Sequence, residues 1–109
     1  MQLPEEFFDC AERLKAVADP DHLRIISLLF SGEQSVGEIA SALDEEMVKI
    51  SHHLGILRRS KILTASKRGR FVIYALHPDV FIAPTGPNDA LQLHLGCCHL
   101  GLENQRSDA

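Results

Sequence analysis

Three cysteines and two histidines hold most of the soft-ligand chemistry in this chain: Cys97 and Cys98 stand side by side in HLGCCH, between His94 and His99, while Cys10 lies near the N-terminus. Thiolates and imidazole nitrogens suit soft or borderline metals, and three sulfurs together suit a thiophilic ion such as arsenite. Adjacent cysteines are awkward co-ligands, because neighbouring side chains point to opposite faces of a strand and diverge by about 100° on a helix. A disulfide between the two closes a strained ring. Plainer roles compete: Cys10 shares a helical stripe with Phe7, Leu14 and Val17 and can pack as a small hydrophobe, as can Cys97 and Cys98 among leucines. An odd cysteine count with an adjacent pair does not read as a secreted disulfide framework, so reduced thiols and a cytoplasmic setting are expected.

A second concentration of chemistry is cationic. Seven Lys or Arg and no Asp or Glu lie between Lys49 and Arg70, although the net charge of the chain is −4. One contiguous stretch is therefore built to meet an anion while the remainder carries the acids.

The elements that position these groups can be read from periodicity and punctuation. The 109 residues allow one domain with a small core, and no run approaches the apolar length of a membrane span, about 18–20 residues. Pro4, Glu5 and Glu6 look like a helix start, and Asp19-Pro20 ends that helix and opens the next, DHLRIISLLF, which is apolar around most of its circumference. Ser35 with Glu38 three residues on forms a capping-box pattern for a short helix through Leu43. Asp44 can cap the following helix, in DEEMVKISHHLGILRRS, where Met47, Ile50, Leu54 and Leu57 form one apolar stripe and His52 lies almost opposite. Two helices joined by a short turn are the layout of a helix-turn-helix. The segments LTASK and FVIYAL flank a turn at Arg68-Gly69 and read as a hairpin with a basic tip. In ALQLHLGCCHLGLENQ two glycines and alternating leucines favour extended structure, while a helix would collect Leu91, Leu95, Cys98 and Leu102 on one stripe.

With these segments in order, ADPDHLRIISLL, ISHHLGILRRSKIL and KRGRFVIYAL, the chain resembles the winged-helix repressors of the ArsR/SmtB family from about Lys15 to Leu76. The resemblance implies an α+β winged helix-turn-helix of about four helices with a β-hairpin wing. It also implies a homodimer that sits on a palindromic double-stranded operator, represses transcription and is released by a metal, metalloid or thiol oxidation. Residues 1–83 are expected to form the DNA-binding domain, and 84–109 a cysteine-containing segment packed on the domain or the dimer interface, with a frayed tail. In the major groove the outer helix face presents Lys49 and His52, with Ser51 at its margin, and Gly55 permits close approach. Lys49, Arg58 and Arg59 can neutralise phosphates, and Arg68 and Arg70 at the wing tip can reach the backbone or minor groove. His53 lies on a flank, open to a structural role or to DNA contact.

The inducer site departs from the family pattern. VGEIASAL holds no cysteine where several relatives carry a pair, and Asp89 is followed two residues later by Leu91, where other relatives carry a histidine. Cys97 and Cys98, with Cys10, are left as the candidate ligands for arsenite or another thiophilic ion. The alternatives are a winged-helix module that binds protein, and a repressor with no cysteine sensor. No orienting residue completes a Cys-His nucleophile and no phosphate-cradling loop is present, so an enzyme is not expected.

Overall fold

The computed structural model describes residues 5–86 and 91–103. The helix-start signal at Pro4, the departure at Asp89 and the tail from residue 104 lie outside them. In order the elements are α1 (Glu5–Val17), α2 (Pro20–Leu29), β1 (Gln34–Ser35), α3 (Val36–Leu43), α4 (Met47–Arg59), β2 (Leu63–Arg68), β3 (Phe71–Leu76), β4 (Phe81–Ile82), β5 (Leu91–His94) and β6 (His99–Leu102). The architecture is the expected α+β winged helix-turn-helix. Among the described residues no helix is long and apolar enough to cross a membrane.

Local signals set most boundaries. Asp19 caps α2, its side chain accepting from the backbone N–H of Asp21 at 2.8 Å and of His22 at 3.3 Å, and Pro20 follows where its missing N–H costs nothing. Desolvation acts to raise the Asp19 carboxyl, but hydrogen bonds from the His22 and Asp21 backbone, with attraction to His22 and His53, outweigh it and hold the group below its ordinary value. A folded-state value below the unfolded one gives stability that is complete above the ordinary carboxylate range and is lost as pH falls through the folded value. Asp19→Ala should therefore cost about 1 kcal/mol in urea unfolding at neutral pH, and the gap to wild type should narrow in acid.

Ser35 and Glu38 make the reciprocal capping box of α3. Asp44 does not cap α4. It ends α3 in the left-handed conformation, φ 53°, which a short polar side chain tolerates, and its N–H returns to Ala40 and Ser41. The N-cap of α4 is Glu46, with no side-chain cap bond.

One core gathers the inner faces of all four helices with Ile62, Leu63, Leu76, Val80, Leu93 and Leu95. Of the expected α4 stripe, Ile50, Leu54 and Leu57 are buried, but Met47 is 56% exposed because it sits in the first turn, beyond the edge of the core. On α1, Cys10 and Val17 are buried while Phe7 and Leu14 remain exposed beside Phe8.

The wing is the antiparallel pair β2–β3, with Arg68 opposite Phe71 and Gly69 at φ 61° in the two-residue turn. The short β1, which sequence patterning misses, adds to β3 through Gln34 opposite Tyr74. The C-terminal segment is extended: β5 and β6 form a hairpin that β4 extends, in the order β4-β5-β6. Leu93 and Leu95 anchor this sheet in the same core as the helices.

Candidate DNA-binding face and cysteine cluster

The outer face of α4 carries Val48, Lys49, Ser51 and His52, all exposed. Lys49 Nζ lies 3.4 Å from Glu45 one turn earlier, and Glu45 also lies 3.5 Å from Arg24 Nη1. At the far end Arg59 folds back over Gly55, whose absent Cβ would stand 3.3 Å from Arg59 Nη1. The glycine thus makes room for an arginine of its own helix. Arg59 lines a polar cleft with Asp9, Glu12 and Arg13 of α1, which places it toward α1. On the wing, Arg68 is ion-paired with Glu33, its Nη2 3.0 Å from Oε2, and Arg70 lies over the Phe71 ring at 5.4 Å.

His53 turns inward. His22, 4% exposed on α2, has Nδ1 2.7 Å from the Ala16 carbonyl and Nε2 3.0 Å from His53 Nδ1. A carbonyl only accepts, so Nδ1 of His22 donates to Ala16, and Nε2 is left to hydrogen-bond His53. His53 Nε2 lies 3.5 Å from Asp21. The chain Ala16–His22–His53 ties the end of α1 through α2 to α4. His53 stands out in the sequence on the flank of α4, but His22 does not, because a buried histidine inside an apolar run has no local signature.

The cysteines meet although 87 residues separate Cys10 from Cys97. Cys10 is fully buried on the inner face of α1 and, against the expectation of reduced thiols, is joined to Cys97 in a disulfide with Cα atoms 5.8 Å apart, because the fold brings the C-terminal hairpin onto α1. Cys98 Sγ lies 3.8 Å from Cys10 Sγ, and all three sulfurs fall within 4.8 Å of one another. The geometric obstacle to adjacent cysteines is removed by a turn. Leu95 N–H donates to the Cys98 carbonyl at 2.9 Å, which leaves Gly96 and Cys97 as the tip, with Gly96 at φ 106°. The strand alternation lapses there, so both cysteines reach one partner. A Cβ on Gly96 would stand 3.2 Å from Arg13 Nη1 and 4.0 Å from the Cys10 Cβ, and Arg13 Nη1 donates to the Leu95 carbonyl at 3.0 Å. His94 and His99 pair across the hairpin, ring centroids 4.6 Å apart, and are not in the sulfur cluster. Three sulfurs in such reach fit a soft, three-coordinate ion when reduced, and two of them fit oxidation to a disulfide.

The sequence profile of bacterial regulatory proteins of the arsR family matches residues 19–65, from the cap of α2 to the start of the wing. The HTH-type transcriptional regulator NmtR of Mycobacterium tuberculosis is 31% identical over 99 residues, covering 91% of this chain and 80% of that relative. The chain belongs to the ArsR family. Its ArsR-family relatives include the arsenical resistance operon repressor of Escherichia coli, 42% identical over 67 residues, of which the chain spans 57%. The solved homodimeric winged helix-turn-helix DNA-binding domain Mb0332 of Mycobacterium bovis superposes with a TM-score of 0.63 at 28% identity, covering 65% of this chain and 66% of that one. This ArsR-family protein is accordingly a DNA-binding transcriptional regulator and not an enzyme.

Proposed function

We propose that the protein is a cytoplasmic, homodimeric repressor that binds a palindromic operator and lets go when a thiophilic metal or metalloid, arsenite first among them, engages Cys10, Cys97 and Cys98, or when an oxidant joins two of these thiols. The meeting of all three sulfurs within 4.8 Å carries the inducer part of this reading. The arsenical resistance repressor among the relatives supports the choice of ion. A dimer is supported by the homodimeric neighbour and by the exposed Phe7, Phe8 and Leu14, an apolar face that a second copy would cover. Twofold symmetry then sets the two recognition helices about 34–36 Å apart, one turn of DNA.

On the operator, Ser51 and His52 offer hydrogen bonds to base edges, and Lys49, Arg59, Arg68 and Arg70 neutralise phosphates. Arg68 does so in competition with Glu33, and Arg59 from the α1 side of the helix. Removing a phosphate contact lowers affinity about equally for all sequences. Lys49→Ala and Arg70→Ala should each reduce the slope of log affinity against log salt by about one. Slopes unchanged in both variants would remove those assignments.

Release requires an inducer that prefers a dimer geometry in which the helices no longer match the two half-sites. Two physical links run from the cysteines toward α4. Arg13, one turn after Cys10, holds the hairpin carbonyl and shares the polar cleft with Ile56 and Arg59, and the end of α1 reaches His53 through His22.

The test is fluorescence anisotropy on a duplex selected from random DNA. The reduced protein should bind with two chains per duplex, and arsenite or a hydroperoxide should release it. A variant with all three cysteines changed to serine should bind and stay bound. Normal release of that variant, or none of wild type, overturns the cysteine reading and leaves DNA binding intact.

A further inference from the structure

We propose that Val48, with Met47 beside it, reads thymine methyl groups in the major groove, supplying an apolar part of operator recognition that Ser51 and His52 cannot supply. The proposal rests on the DNA-binding reading and adds a specificity determinant to it.

Val48 is 81% exposed and Met47 56% exposed, so neither contributes much to the core. Valine is also a mediocre helix former, its branched Cβ losing freedom against the preceding turn. Nothing in the fold requires a branched apolar residue at position 48. Its neighbours explain it better: Val36 at the start of α3, Met47, Val48, Ser51 and His52 line one shallow cleft of about 550 Å³. Ser51 and His52 stand three and four residues after Val48, on the same face of the helix. In a helix-turn-helix the N-terminal residues of the second helix are the ones that contact base edges, and Met47 and Val48 are the first two residues of α4.

The occupant follows from chemistry and charge. On the major-groove edges of the four bases the thymine C5-methyl is the one apolar group, and small aliphatic side chains contact it. From Lys49 to Arg70 the chain carries no acid; of the two acids directly before Met47, Glu45 is paired with Arg24 and Lys49, and Glu46 is exposed at the N-cap of α4. An apolar cleft with a polar far edge, on a helix that runs on into a stretch of cations without acids, fits a polyanion that presents methyl groups better than it fits an apolar protein surface.

The experiment replaces each thymine of a selected duplex in turn with uracil, which removes the methyl and leaves every hydrogen-bonding group. At one thymine in each half-site the replacement should weaken wild-type binding about threefold to tenfold, the factor that one buried methyl carries. Val48→Ala should bind the thymine and uracil duplexes alike, and Val48→Ile should restore the preference. Unchanged melting temperatures would show that the variants are folded. Indifference of wild type to every replacement overturns the proposal alone, as does a Val48→Ala variant that keeps the full preference. Failure to enrich any duplex overturns it together with the DNA reading.

Discussion

Protein with Cys10 and Cys97 joined is expected to take up no arsenite, while the fully reduced protein takes up about one ion per chain, because three-coordinate binding of a thiophilic ion draws on three thiolates. Each bond to arsenic replaces a hydroxyl with a thiolate: arsenious acid and three thiols give the tris-thiolate and three waters. The disulfide removes two of the three donors, and Cys98 alone is left. Oxidation itself balances with a hydroperoxide, two thiols becoming a disulfide while the peroxide yields an alcohol and water. Oxidant and metalloid are therefore expected to compete for the same sulfurs, and protein exposed to one should be blind to the other until a thiol reductant is supplied. Desalting after incubation, followed by elemental analysis, measures this directly. Arsenic retained at full occupancy by the disulfide form would place the ion elsewhere.

Leu54→Ala should cost about 2–5 kcal/mol in urea unfolding, the range for emptying a buried leucine site. Leu54 is fully buried on the inner face of α4, between Ile50 and Leu57, so the cavity opens where α4 is fastened to the core. A domain of this size has about 5–15 kcal/mol in all, so the variant should be only marginally folded. Met47→Ala is the contrasting case. Periodicity alone puts Met47 on the same stripe, but its exposure limits the expected change to within about 0.5 kcal/mol. Equal losses in the two variants would mean that the stripe, and not the observed packing, describes the helix.

That contrast shows where the sequence could be read. The α2 cap at Asp19, the capping box of Ser35 and Glu38, and the wing turn at Gly69 are local devices, and each was legible from a few neighbouring residues. Met47 and Asp44 depart from the sequence expectation because periodicity does not mark where the core ends, and because an Asp between two helices can close the first or open the second. The partners that cross the chain left no local mark: Glu33 on Arg68, His22 on His53, Arg59 over Gly55 and β1 on β3. The cysteine cluster was half legible. Residue types named the chemistry, but adjacency argued against shared ligation until the Gly96 turn suspended the strand alternation.

The most direct measurement is arsenic X-ray absorption on reduced protein loaded with one equivalent of arsenite per chain. Three sulfur neighbours and no oxygen are expected in wild type, and a sulfur lost in each of Cys10→Ser, Cys97→Ser and Cys98→Ser. Three sulfur neighbours retained in Cys10→Ser would contradict this, because α1 would then have no part in holding the ion.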